Sequence, residues 1–400
     1  MNRLHVAWAV VAATFLQPSP GRAGDGPASP PGGGSPGQAL VREVKAPRLL
    51  RAFAISPDLR TLAGSDGEKR IFLWNGQTGA LRKTVQLSGV GIDELVCSAN
   101  SSLVAALNVT ADGYQVVIVN ALDGSLRGQW KCASRPDGIT FTADGSLLAY
   151  AAGDAVYLVD LRAGTERHLA ELPMDSLAFS PDGSVLAGAT GYRVTLWDVT
   201  TLQPKRTLQM DPPTPLEERR LGRTHRIAFS PDGKLLATSP TRSGKGLLRI
   251  FDLETGQLRQ RLVAHEAPVV HLLFTADGTS LISTTAIPDP VLAGLGNLPG
   301  AAMRLQSEVS MWEPASGKLR KRLVGKEMGP GALLHPDGKT LVTFDVLDGG
   351  LIQLWDLDTG AELNRPALPR TPAALRQTPR IAPAITAPSS PSSRPRKPRP

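Results

Sequence analysis

One turn, repeated along the middle of the chain, restricts its fold more than any other feature. ISPD stands at 55–58, FTADGS at 141–146, FSPDGS at 179–184, FSPDGK at 229–234, FTADGT at 274–279 and LHPDGK at 334–339, with a degenerate CSANSS at 97–102. A second element follows each one: IFLWNGQTG at 71–79, VVIVNALDG at 116–124, VYLVDLRAG at 156–164, VTLWDVTTL at 194–202, LRIFDLETG at 248–256, VSMWEPASG at 309–317 and IQLWDLDTG at 352–360. Small apolar runs such as LLAYAAG at 147–153 and VLAGATG at 185–191 join the two. Seven copies of one unit of roughly 40 residues imply stacked supersecondary modules rather than independent domains. With 40 Gly and 34 Pro among 400 residues, the chain is built of turns, which excludes a coiled coil and argues against a helical bundle.

Each copy reads as four short strands. A Phe before Ser-Pro-Asp-Gly ends a buried strand at a tight turn: Pro presets φ, Asp caps the turn and Gly takes the positive φ. The Leu/Ala run offers small side chains to both neighbours, and the third segment alternates apolar and polar residues. A Thr-Gly or Ser-Gly turn then leads into a charged strand, as in QLRQRLVAH at 257–265, which suits an edge. Four strands from inner to outer form a propeller blade. The expected fold is all-β: a seven-bladed β-propeller of four-stranded antiparallel blades over residues 39–364. Residues 39–45, ALVREVK, look like an outer strand without inner partners and are expected to close the ring in the last blade.

The positions equivalent to Trp74 are Val119, Val159, Trp197, Phe251, Trp312 and Trp355, at spacings of 45, 40, 38, 54, 61 and 43 residues. Trp-Asp itself stands at 197–198 and 355–356, with Phe251-Asp252, Val159-Asp160 and Trp312-Glu313 as variants. On these residues the chain resembles the WD-repeat family, of an exported bacterial type with degenerate repeats. The family's Gly-His element is nearly missing; His265 is the one His in its expected place. The resemblance implies a non-enzymatic binding scaffold, with the tryptophans packing between blades. It also implies that His265 is structural, bonded toward the Ser283/Thr285 strand and Trp312.

The ends read differently. Met1-Asn2-Arg3, the apolar run 4–16 and small residues at Gly21 and Ala23 fit a signal peptide over 1–23, and hence export to the periplasm or beyond. No apolar run reaches the length of a membrane span. Residues 24–38 form a Gly/Pro-rich linker, and 365–400 an expected disordered, basic, Pro-rich tail. That tail holds eight Arg and Lys and no acid, so the net charge of +8 belongs to it and 39–364 carries only −1. Nucleic acid is therefore not the expected partner of the propeller, although the tail has the chemistry to touch an anionic surface. Cys97 takes the place of a core Phe near the end of an inner strand and Cys132 follows an outer strand, so two buried free thiols are expected.

Catalytic patterns are few. The chain lacks His-Glu-x-x-His, a Walker lysine motif and a Cys cluster, and GGSPG at 33–37 has no flanking strand to make it a nucleophile elbow. Asp58, Asp182, Asp232, Asp277 and Asp337 are single carboxylates in separate turns, suited to capping rather than calcium. No cofactor and no metal are expected. The long excursions 209–224, 240–246 and 286–307 all leave one rim, from blades 4–6. They bring candidate partner-binding residues Arg219, Arg220, Arg223, Arg226, Arg242 and Lys245 beside Val291, Leu292, Leu295 and Leu298. The expected function is binding a protein or peptide there, as a monomer. The alternative is a small-ligand site or an enzyme at the central channel, which a converging set of His, Asp, Glu and Arg on the inner strands would favour.

Overall fold

The repeated turn builds a hairpin that satisfies itself. In blade 4, Ser180 Oγ donates to Asp182 Oδ1 at 2.5 Å and accepts the Val185 N–H at 2.9 Å, while Ser184 N–H reaches Asp182 at 3.0 Å. The same hydroxyl–carboxylate pair closes the turns at Ser56/Asp58, Thr142/Asp144, Ser230/Asp232 and Thr275/Asp277. Asp337 instead accepts the N–H groups of Lys339 and Thr340, both at 2.8 Å. The turn between third and fourth strands is capped by the Asp of the Trp-Asp element: Asp198 accepts from Thr200 N–H at 3.0 Å and Thr201 N–H at 2.9 Å. The Thr201 bond first, then Lys205, holds its carboxyl at about 2.

In the computed structural model, residues 50, 52–66, 68–132, 134–191, 193–210, 225–240, 246–288, 305–325, 331–335, 337–345 and 351–363 are described. They form seven antiparallel sheets whose strands follow chain order, six of four strands and the last of three, with no helix among them. The first strands are Ala52–Ile55, Gly91–Cys97, Pro136–Phe141, Ser176–Phe179, His225–Phe229, Val269–Phe274 and Gly331–Leu334. At the outer edge of the last blade Glu362 bridges Trp355, and Leu363 N–H donates to the Leu354 carbonyl at 2.7 Å. Residues 39–45 lie outside the described residues, as do all of 1–49 and all of 364–400.

Seven apolar clusters hold the ring, one in each joint between blades. Blade 1 meets blade 2 through Ile71, Leu73, Leu95 and Val117, and blade 3 meets blade 4 through Ala149, Leu158, Leu177 and Trp197. The joint that closes the circle combines Phe53, Leu62 and Trp74 of blade 1 with Leu333, Val342 and Ile352 of blade 7. Cys97 and Cys132 are buried, unbonded and in different joints, and burial pushes the Cys97 thiol up to about 12.

The tryptophan position is matched by the residue two places beyond its cross-strand partner on the second strand. A Cβ on Gly64 would lie 2.9 Å from the Trp74 ring, and one on Gly188 would lie 2.8 Å from Trp197. In blades 6 and 7 that place holds a hydroxyl instead, and Ser283 and Thr343 accept from Trp312 and Trp355 Nε1, both at 2.9 Å. Blade 3 has Val159 in the tryptophan's place, and there the large Tyr150 occupies the facing site. Joint volume is thus conserved by exchange between two strands, as close packing demands.

Among the described residues three non-glycine residues have positive φ, and all stand where other repeats carry Gly: Leu59 (57°), Ser101 (60°) and Leu202 (58°). Ser101 Oγ is also buried without a hydrogen-bond partner. Ser101→Gly should therefore stabilise the protein by about 1–2 kcal/mol, by removing left-handed strain and an unpaired hydroxyl. Urea unfolding should show a higher midpoint at unchanged slope; a lower midpoint would refute the assignment.

Candidate functional site

Each first strand lines the central channel and runs from one rim to the other. Because successive strands are antiparallel, the start of the first strand, the end of the second, the start of the third and the end of the fourth share a rim. The gaps 211–224, 241–245 and 289–304 all spring from that rim, which we call the entry rim. In blade 6 the ladder continues through Ala286↔Ser307, Ile287↔Gln306 and Pro288↔Leu305, so six residues assigned by sequence to the excursion are paired strand.

Three first strands are irregular, and all three at their entry ends. Each carries one extra residue against its partner strand: between Ile92 and Glu94, between Asp137 and Thr140, and between Val269 and His271. In blade 3 the bulge contains Gly138 at φ 65°, whose absent Cβ lets the Ser176–Leu177 backbone of blade 4 approach within about 3 Å. Bulges bend a strand and re-aim its side chains.

The bulged segments supply charged and titratable groups. Arg135 lies 3.1 Å from Asp137, 3.6 Å from Asp93 and 3.8 Å from Glu94. Glu94 is only 5% exposed, and its Oε1 has no hydrogen-bond partner among the described residues. From blade 5, Arg226 Nε donates to the carbonyl of Val270, the bulge residue of blade 6, at 2.5 Å. His271, beside that bulge, is buried and makes no side-chain hydrogen bond among the described residues. Glu94 and Arg226 feel one another's charge although they stand in blades 2 and 5, so the interaction runs across the channel.

Burial raises the Glu94 carboxyl to about 7, against the opposing pull of Arg135 and Arg226. Burial, reinforced by Arg226, lowers the His271 imidazole to about 3, so it is neutral at physiological pH. Near pH 7 the entry therefore holds a half-protonated carboxyl, a half-buried guanidinium whose Nη atoms have no hydrogen-bond partner among the described residues, and a neutral imidazole. No group of His, Cys, Asp and Glu suited to a metal ion occurs among the described residues.

A second arrangement looks catalytic and is sealed. Glu308 Oε1, His265 Nδ1, His265 Nε2 and Ser283 Oγ form an acid–imidazole–hydroxyl chain at 2.8 and 2.7 Å. Ser283 also accepts from Trp312, and His265 is 3% exposed. With Nδ1–H donating to Glu308, Nε2 accepts the Ser283 hydroxyl proton and every polar group is used. His265 is the structural His expected from the sequence.

Of the sequence-derived partner-binding residues, only Arg226 is among those described, and it stands half-buried on the first strand of blade 5 at the entry end. Arg219, Arg220, Arg223, Arg242, Lys245, Val291, Leu292, Leu295 and Leu298 lie outside the described residues. Asp93, Glu94, Arg135, Asp137 and His271 were missed. Their available signal was a charged or imidazole residue within a first strand, or just before it for Arg135; the first strands of blades 1, 4 and 7 carry none.

No protein-family model matches the chain. Over 156 residues it is 29% identical to the pre-rRNA-processing protein crb3/ipi3 of Schizosaccharomyces pombe, covering 38% of this chain and 33% of that protein. The chain thus matches about a third of that curated relative's length. Among solved structures, a chain in the crystal structure of the mitotic checkpoint complex superposes with a TM-score of 0.58 at 17% identity, covering 84% of this chain and 99% of that one. The fold is a WD40-like seven-bladed propeller. No helix among the described residues is long and apolar enough to cross a membrane.

Proposed function

We propose that this protein is a non-enzymatic interaction scaffold, exported to the cell envelope or secreted, which binds a protein or peptide partner on the entry rim through the long excursions of blades 4–6. The observation that carries this reading is the contrast between the two rims. On the opposite rim, turn after turn spends its hydroxyl and carboxylate on its own backbone. On the entry rim, the bulged strands and their flanks present the charged side chains of Asp93 and Arg135 at intermediate exposure. Charged side chains that reach solvent, rather than closing their own turn, are the ones a partner can use. The relative's name places it in pre-rRNA processing, but the −1 charge of residues 39–364 here gives no electrostatic footprint for RNA.

The test is affinity capture from the native envelope fraction, followed by charge reversal. Replacing Arg219, Arg220 and Arg223 with Glu should weaken capture of the identified partner at least tenfold while leaving the melting temperature nearly unchanged. Undiminished capture by that variant and by one lacking 288–302 would move the interaction surface elsewhere. The central-channel alternative gains support from Glu94, Arg226 and His271, whose chemistry suits a small ligand.

A further inference from the structure

We infer that the channel entry binds a dipolar α-amino group, an ammonium next to a carboxylate or carbonyl, held between Glu94 and Arg226. The site is polarised across the channel. Asp93, Glu94 and Asp137 gather on the side of blades 2 and 3, where Arg135 is the single cation within 4 Å of them among the described residues. Arg226 and His271 stand on the side of blades 5 and 6.

Each wall has one group with unused capacity. Glu94 Oε1 is buried and has no donor among the described residues. Arg226, half-buried, is anchored through Nε by the Val270 carbonyl, and its Nη atoms have no hydrogen-bond partner among the described residues. The two make no ion pair within 4 Å, yet each is within electrostatic reach of the other. A buried polar atom without a hydrogen-bond partner is costly, and a ligand that supplies the missing bond recovers that cost.

A simple anion would satisfy Arg226 but meet three carboxylates, and a simple cation would satisfy Glu94 but meet Arg226 and Arg135. A molecule with an N–H donor at one end and an acceptor oxygen a few ångströms away at the other answers both walls. The acceptor end also meets the neutral His271, which can donate one ring N–H. Three bulges converge on this place and on no other part of the first strands, as expected where side chains have been re-aimed.

Two sources present this chemistry: a free amino acid, and the N-terminal residue of a peptide. Calorimetric titration of the full chain with free glycine, and with triglycine amide carrying a free N-terminus, distinguishes them. One of the two should bind at one site, with acetate, methylammonium and N-acetylglycine amide at least tenfold weaker. Glycine binding more tightly identifies the free amino acid, and triglycine amide binding more tightly identifies the chain terminus.

Binding should also release protons near pH 7. An ammonium beside Glu94 favours its ionised form, so part of the proton on that carboxyl leaves to buffer. The charged and titratable groups that face it are Asp93, Arg135, Asp137, Arg226 and, beyond Arg226, His271. Titration in buffers of different ionisation heat reads the release. Glu94→Gln and Arg226→Gln should each weaken binding tenfold or more and Glu94→Gln should abolish the release. If a variant fails to fold, the wild-type ligand series and proton release still decide. Absence of saturable binding by both dipolar probes at millimolar concentration overturns the inference. So does equal binding by acetate or methylammonium, or unchanged affinity in folded Glu94→Gln.

Discussion

At pH 8, Glu94→Gln should make the propeller more stable by about 3 kcal/mol, and at pH 4.5 it should change stability little. The folded-state carboxyl is raised to about 7 from an ordinary 4.5, because burial strips it of water and Arg135 and Arg226 only partly compensate. Stability from an acid with a raised value is full below the unfolded value and is lost as pH rises through the folded one. At about 1.4 kcal/mol per unit, ionising Glu94 in place costs about 3 kcal/mol once the pH passes 7. Gln keeps the volume and removes that cost. His271 works in the opposite direction: its value falls from 6.5 to about 3, so its contribution is full above 6.5 and is lost as pH falls toward 3. Comparing wild type and variant at the same pH cancels the His271 contribution. Urea unfolding at pH 4.5 and pH 8 checks the result, and a stability difference that does not grow with pH would refute it. A chain that keeps a carboxyl at this expense has a use for it, as functional sites that trade stability for chemistry do.

Tyr150→Ala should destabilise the protein by about 3–5 kcal/mol, the range for emptying a large aromatic site. Tyr150 is 1% exposed, stacks on Tyr157 at 5.1 Å between ring centroids and donates to Glu166. It fills the space that a tryptophan fills in blade 4, where Trp197 lies over Gly188. Val159→Trp alone should cost about 1–3 kcal/mol by overpacking that space. The double variant Tyr150→Gly/Val159→Trp rebuilds the blade 4 pair inside blade 3. It should be more stable than the sum of its parts, with a coupling of about 2 kcal/mol in a double-mutant cycle. Additivity within about 0.5 kcal/mol would show that the two side chains do not share one volume.

Much of the ring was legible before any coordinates. Ser180-Pro181-Asp182-Gly183 closes its hairpin with bonds spanning at most five residues. Such geometry is fixed by neighbours in sequence and can be read there. The role of His265 was legible because Ser283, which it bonds, and Trp312, which bonds Ser283 in turn, stand at the matching repeat positions of the next blade. Even the degenerate turns obey the pattern, since Ser101 and Leu202 adopt the φ of the glycines they replace. The exchange of Tyr150 for a tryptophan was not seen, because it needs the register that places Leu148 opposite Val159.

The number of blades, the hairpins within each and most of the joint residues follow from the sequence alone, because turn chemistry and strand alternation are local and repeat seven times. The channel entry follows from the closed ring. A bulge shifts one residue and leaves no trace in a pattern of period two, yet it re-aims Glu94 and lends the Val270 carbonyl to Arg226. Glu94 and Arg226 are joined by no local rule. They come within electrostatic reach of one another because seven blades close into a circle, which sets blades 2 and 5 on opposite sides of the channel.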